Sequence, residues 1–182
     1  MQKVNLSQYD NSWYLPGAPL KRISWYFINI FFFKTSLPFP SAFKTLILRF
    51  FGASVGKNCV IKPNVNIKYP WFLELGDHVW IGEAVWIDNL TLIKIGNHVS
   101  ISQDAYLLTG NHDFKKRSFD LFVGKIIIED GVWIGAKSII CPNVTCFTHS
   151  ILCAGSVATT NLEAYGIYQG NPAAFKKKRI VE

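Results

Sequence analysis

The sequence predicts an all-β fold, a stack of parallel β-coils with three short strands to a coil, preceded by a mostly helical segment and broken by one protruding loop. Two observations carry this prediction. From Val55 onward an apolar residue recurs every six positions, and wherever the count slips it slips in phase. A period of six is neither helical nor a simple strand alternation. It suits a chain that turns a corner every six residues and points one side chain per turn into a narrow prism.

The leading residues are Val55, Ile61 and Ile67, then Leu75, Ile81 and Ile87, then Ile95, Ile101 and Leu107. After an interruption come Ile128, Ile134 and Ile140, then Cys146 and Leu152. Three such turns close one coil, and stacked coils lie roughly 4.8 Å apart. The fifth position of a unit is repeatedly small or β-branched, as at Val65, Val79, Val85, Val99, Ala105, Val132 and Ser138. The surplus residues after 67, 87 and 107 all follow the third unit of a coil, so every insertion leaves from one corner. The chain therefore divides into an N-terminal segment (1–54), the β-helix (55–160, with its loop at 108–127) and a basic tail (161–182).

Residues 1–54 stand outside the repeat. Pro38 and Pro40 separate one helix from a second expected over about Ser41 to Phe51. This segment reads in two ways that are compatible with each other. It can cap the open end of the first coil, which would otherwise expose apolar side chains and unpaired strand edges. It can also lie in a membrane interface, since residues 20–51 mix Trp25, Tyr26, Phe27, Phe31, Phe32 and Phe33 with Lys21, Arg22, Lys34, Lys44 and Arg49.

With 49% hydrophobic and 17% charged residues, wholesale disorder is excluded. The most apolar run, Ile23 to Phe33, lies between Arg22 and Lys34 and is too short for the roughly 20 residues of a bilayer span. The first fourteen residues are polar where a signal peptide needs an apolar core. Four cysteines with no CxxC pairing suit reduced thiols, so a cytoplasmic protein is expected, at most peripheral at the inner face of the membrane. The net charge of +7 is concentrated in part at Lys176-Lys177-Lys178-Arg179 and does not by itself choose a partner.

The imperfect hexapeptide repeat, the excursion carrying Gly110-Asn111-His112-Asp113 and the closing Gly170-Asn171-Pro172-Ala173 resemble the hexapeptide-repeat O-acetyltransferases. Within them the chain is most similar to the WcaF-like enzymes of colanic acid and other exopolysaccharide synthesis, a likeness that extends to Asn5-Leu6-Ser7 and Lys68-Tyr69-Pro70-Trp71. The resemblance implies a left-handed parallel β-helix, a homotrimer with active sites between subunits, acetyl-CoA as co-substrate and a saccharide acceptor, for which residues 20–51 favour a lipid-linked form. No metal and no nucleic-acid partner are expected.

Among the four histidines, His78, His98 and His149 each take the fourth position of a unit, which marks a polar turn residue. His112 alone is off the repeat, in a long loop of the kind that carries function, and the resemblance makes it the catalytic base. A sugar hydroxyl attacking a thioester needs such a base, and neutral imidazole suits the task. Asp88 and Asn89 belong to the third unit of the preceding coil, about one rung from the base of the His112 loop. Asp88 can bind an acceptor hydroxyl or orient His112, Glu83 is a second candidate for that orientation, and Trp86 can stack on a pyranose. The resemblance places Trp133, Ala136 and Ala154 along the pantetheine arm of CoA, and Thr159 where relatives often carry Thr-Lys. Lys178 and Arg179 then become candidates for the nucleotide phosphates, and Cys146-Phe147 suggests a distorted last coil. Two other functions stay open: a non-catalytic β-helix scaffold, and a zinc hydratase of the carbonic-anhydrase type, for which His78 and His98 stack without a complete ligand set.

Overall fold

The computed structural model describes residues 3–182. Its body is a three-sided left-handed parallel β-helix. The first face stacks Ser54–Val55, Leu73–Leu75, Ile93–Ile95, Ile126–Ile128 and Thr145–Cys146. The second stacks Val60–Ile61, Trp80–Ile81, Ser100–Ile101, Trp133–Ile134, Ile151–Leu152 and Gly166–Gln169. The third stacks Asn66–Ile67, Trp86–Asp88, Tyr106–Leu108, Ile139–Ile140 and Val157–Ala158. Leading residues pair rung to rung in the register the period requires, as in Ile61↔Ile81↔Ile101↔Ile134↔Leu152. Together with the small fifth-position residues they fill the prism. The distortion expected at Cys146-Phe147 is absent: Cys146 is buried and pairs with Ile128 in ordinary register.

The corners explain the histidines. Asn58, Asn64, His78, Ala84, His98, Asp104, Lys137, Asn143 and His149 all have left-handed backbone, with φ between 55° and 66°. Each is the fourth residue of its unit. A chain that must turn within six residues places this one residue in the αL region, which Asn, Asp and His tolerate better than most. His78 and His98 stack in parallel with ring centroids 4.9 Å apart, and His149 stacks likewise on Tyr165. Parallel stacked rings do not converge on a point, and among the described residues no three His, Cys, Asp or Glu side chains form a ligand set.

The open end of the first coil is capped on all three faces. Helix α1 (Pro19–Ile28) runs on into a wider turn at Asn29–Phe33, and helix α2 (Ser41–Phe50) follows. On the first face Arg49 donates to the carbonyls of Val55 and Gly56, at 2.9 and 2.8 Å from Nη2. On the second, Lys44 donates to Lys62 at 3.0 Å while the Ser41 hydroxyl accepts from the Ile61 amide at 3.0 Å. On the third, the Trp25 indole donates to the Ile67 carbonyl at 2.8 Å, and the Asn29 amide donates to Asn66. Side chains thus satisfy the backbone groups that a further coil would have paired. Lys44 is wholly buried for this purpose, and burial pulls its ammonium below the usual lysine range.

The far end is closed differently. Within the basic tail at 161–182, Gly166–Gln169 joins the second face as a strand and Ala174–Lys178 folds back antiparallel along it. The side chains of that last strand stay exposed, so the lysines face solvent. An edge strand carrying lysines is protected from pairing with other chains.

Ala84 occupies the αL corner without a side chain that favours it, at φ 56°. Ala84→Gly is expected to stabilise the fold by about 0.5–1 kcal/mol, because glycine adopts this region freely. Chemical denaturation would show a raised midpoint with an unchanged slope.

Candidate active site

The long insertion is a hairpin, Gly110–His112 against Leu121–Val123, in which His112 pairs with Leu121. Its base is anchored by Thr109, a fully buried residue absent from the sequence-based candidates. The Thr109 hydroxyl donates to the Asp88 carbonyl at 2.8 Å and accepts from the Leu90 amide at 2.8 Å. The loop is thereby fastened to the corner of the rung below. A Cβ on Gly110 beside it would press on the end of the Leu90 side chain, which would have to shift.

The imidazole of His112 lies flat on the Phe119 ring, with centroids 4.6 Å apart and planes 7° from parallel. Its Nδ1 is 2.9 Å from the Phe119 carbonyl oxygen. A carbonyl only accepts, so Nδ1 carries the proton and, in the neutral ring, Nε2 carries a free lone pair. Phe119, not Glu83, performs the orientation. Glu83 lies exposed on another corner, where it accepts from Asn64 at 3.4 Å.

His112 opens into a cavity of about 770 Å³ that also receives Asp88, Asn111, Tyr14, Tyr69, Arg22 and Lys68. Asp88 is 7% exposed. Its Oδ2 accepts from the Tyr106 hydroxyl at 3.1 Å, and Lys68 Nζ stands 3.0 Å from Oδ1. The approach of Lys68 forms an ion pair but not a directed hydrogen bond, so Oδ1 retains unused accepting capacity. Asp88 therefore neighbours His112 within one cavity while its contacts run to Lys68 and Tyr106. Burial, reinforced by the Asp88 charge, raises the Tyr106 hydroxyl well above its ordinary range and keeps it a proton donor.

Asn89 is brought close but turned inward: it is fully buried, donates to the Tyr69 carbonyl and accepts from the Tyr69 amide at 3.0 Å. That bracket holds the preceding insertion in place and leaves its amide out of the cavity lining. Trp86 is also outside it, stacked on Tyr106 with centroids 4.5 Å apart. The remaining wall is a strap that the sequence did not reveal as part of the site. Tyr9 approaches His112 with centroids 5.8 Å apart, the Asn5 amide donates to Arg117, and the Tyr14 hydroxyl donates to the Leu90 carbonyl at 2.7 Å. Burial raises the Tyr14 phenol as well.

Among known proteins, no family model matches the sequence. The putative colanic acid biosynthesis acetyltransferase WcaF of Escherichia coli K12 is 35% identical over 164 residues, which cover 90% of this chain and 90% of that protein. This chain belongs to the hexapeptide-repeat acetyltransferases. A galactoside O-acetyltransferase of Lactococcus lactis is 30% identical over 158 residues, 81% of this chain and 72% of its own. A solved maltose O-acetyltransferase from Clostridium difficile 630 superposes with a TM-score of 0.79 at 25% identity, over 89% of this chain and 88% of that one. A Vibrio cholerae hexapeptide-repeat acetyltransferase solved with acetyl coenzyme A has the same fold, with a TM-score of 0.79 at 22% identity, over 89% of this chain and 88% of that one.

In this hexapeptide-repeat acetyltransferase the residues expected along CoA lie on the second face, at its corners and beyond the end of the third. Ala136 and Ala154 stand on adjacent rungs at the corner where the second face ends, and the Gly155 amide donates to the Ala136 carbonyl at 2.8 Å. Trp133 is half-exposed on the face itself, its indole donating to Ser102 at 3.0 Å. Thr159 is exposed just past the last strand of the third face. Lys178 and Arg179 lie at the opposite corner of the second face. Arg179 there donates to the Gly131 carbonyl at 2.8 Å and to that of His149, and Lys178 donates to Ala164. The fold of one chain does not bring these two groups together.

Thr109 makes a direct test of how the loop is held. Thr109→Val keeps the shape and removes the hydroxyl, leaving the Leu90 amide without that acceptor. Stability is expected to fall by about 1–3 kcal/mol, with protease cleavage within 110–123 accelerated. Unchanged cleavage would show that the loop does not depend on this anchor.

Proposed function

We propose that this chain transfers an acetyl group from acetyl-CoA to a sugar hydroxyl of an exopolysaccharide unit, with His112 as general base. The observation that carries this reading is the 2.9 Å contact between His112 Nδ1 and the Phe119 carbonyl. It leaves Nε2 basic in a cavity walled by polar side chains. As the acceptor oxygen attacks the thioester carbonyl, its proton passes to Nε2, and the departing thiolate takes that proton from the imidazolium. Asp88 Oδ1, ion-paired with Lys68 but without a directed hydrogen bond, has accepting capacity left for a second hydroxyl of the acceptor. The colanic-acid name of the WcaF relative and the galactoside and maltose names of the others support a saccharide acceptor.

The same reading makes the active protein a homotrimer. Outward residues of the second face include Trp80, Trp133 and Ile151, and those of the third Trp86, Tyr106, Ile139 and Val157. The first face presents Ser54, Glu74, Lys94, Ile127 and Thr145, with Ile127 its one apolar member. Two apolar faces out of three suit a ring in which each subunit contacts two neighbours. CoA then runs past Trp133, Ala136, Ala154 and Thr159 across a subunit boundary, where Lys178 and Arg179 of a neighbour can meet its phosphates. The outer side of α1 and α2, exposing Leu20, Ile23, Phe27, Phe31, Leu46 and Phe50, supports peripheral contact with the inner face of a membrane. The four cysteines are all unpaired, as in a reducing cytoplasm. None of the described helices is long and apolar enough to cross a membrane.

Mass-spectrometric detection of acetylated products across a panel of saccharides tests the reaction. Wild-type protein is expected to acetylate at least one hydroxyl acceptor, and His112→Ala to lose at least about 100-fold in turnover while still binding acetyl-CoA. Near-normal turnover in the variant, or transfer to amines alone, would contradict the proposal.

A further inference from the structure

The third face has two kinds of outward position. Asn66–Ile67, Trp86–Asp88 and Tyr106–Leu108 lie on successive rungs, and alternate residues of a strand share a side. Trp86 and Tyr106 therefore stand outward at the start of the face, and Asp88 and Leu108 stand outward at its end. Lys68 precedes Asp88 by one rung, its amide donating to the Ile87 carbonyl. The His112 cavity takes in Lys68, Asp88 and Leu108 but neither Trp86 nor Tyr106. The surface assigned above to a neighbouring subunit thus ends, and the cavity begins, between residues 86 and 88 of one rung and between 106 and 108 of the next.

Tyr106 crosses that boundary. Its ring lies on Trp86, with planes 15° from parallel. Its hydroxyl reaches diagonally to the rung before and donates to Asp88 Oδ2 at 3.1 Å. The other partner of Asp88 is of a different kind. Lys68 Nζ stands 3.0 Å from Oδ1 on a side chain 39% exposed. An ammonium on a flexible stem is a point charge that pairs with a carboxylate in many orientations. A hydroxyl on a stacked ring donates along one line. Lys68 therefore balances the charge of Asp88 and can swing aside for an incoming group, while Tyr106 fixes the rotation of the carboxylate.

We propose that Tyr106 is a positioning residue for the acceptor: held by Trp86, it clamps Asp88 Oδ2 and so presents Oδ1 as the oxygen that an acceptor hydroxyl meets. This rests on the acetyl-transfer reading for the role of Asp88. An ionised carboxylate only accepts, so the acceptor must bring a donor beside its reacting hydroxyl. The ring of Tyr106 belongs to the face that a second subunit covers and its hydroxyl belongs to the site. Subunit packing and acceptor binding therefore meet in one side chain.

Two measurements on the full-length protein test the clamp, the first without any substrate. In protein labelled with carbon-13 at the tyrosine ζ position, the Tyr106 signal is assigned by its loss in Tyr106→Phe. Asp88→Asn is expected to move that signal and to lower the pH at which it titrates. The burial that keeps the phenol protonated persists in this variant, while the Asp88 charge that reinforces it is gone. An unmoved signal would overturn the proposal. The second measurement is acetyl transfer to maltose, methyl galactoside or, failing these, the best acceptor of the saccharide panel. Tyr106→Phe, which keeps the ring and its stack, is expected to raise the acceptor KM about tenfold and to leave kcat and the acetyl-CoA KM within about twofold. In an Asp88→Asn background the same substitution is expected to add nothing, because its effect passes through the carboxylate. An unchanged acceptor KM, equal effects in both backgrounds, or a raised acetyl-CoA KM with a lowered melting temperature would overturn the proposal, the last by showing a merely structural role. Transfer to no saccharide at all, with the tyrosine signal responding as described, would instead overturn the reaction and leave the clamp standing.

Discussion

Each coil must lie on the one before it, strand on strand, on three faces at once. That constraint fixes the turn at one corner per six residues, and a corner so tight needs a residue in the left-handed region. Asn58, His78, Ala84, His98 and His149 are there because of it. It also brings successive rungs so near that a Cβ on Gly76 would sit 2.7 Å from the Gly96 carbonyl carbon. Surplus residues can be accommodated only where they do not break the stack. All three insertions leave the third corner, and the loop carrying His112 is the longest of them. The position of the candidate site is thus a consequence of stacking before it is one of chemistry.

A stack has two ends, and the two closures serve different purposes here. At the far end Ala174–Lys178 simply turns back on the last strand and presents lysines outward. At the near end the cap is built from side chains, and building it places α1 alongside the third face. That placement forms the groove beside the His112 cavity, and residues 9–16 cross the His112 loop. The cap uses one side of this segment, with Trp25 and Asn29 inward, and leaves Ile23 and Phe27 exposed on the other.

Most of the β-helix was legible in the sequence, since a period of six with phased interruptions leaves little freedom. His112 was separable from the three corner histidines by the same arithmetic, and the proximity of Asp88 to the loop followed from counting rungs. Lys68 and Tyr106 were within reach of that reasoning, as both lie one rung from Asp88 on the same face. The inward turn of Asn89 was not, because period alone does not tell a buried bracket from a cavity wall. Nor could any repeat show that a main-chain carbonyl, Phe119, would orient the base, or that Tyr9 and Tyr14 would fold back over it. Those contacts join segments outside the period, whose partners are set by three-dimensional packing. The tail was legible only in part for a related reason: its charge was visible, while its pairing with Gly166–Gln169 depends on where the last coil stops.

The chemical account depends on one proton being on one nitrogen. Stacking holds Thr109, Thr109 holds the hairpin, and the hairpin sets the Phe119 carbonyl against Nδ1, which leaves Nε2 to act as base. Nitrogen-15 NMR of histidine-labelled protein near pH 8, with the His112 signals assigned by difference from the His112→Ala variant, observes this directly. The account predicts a neutral ring with Nδ1 protonated and Nε2 showing the shift of an unprotonated nitrogen. A ring protonated at Nε2, with its lone pair on Nδ1, would contradict it.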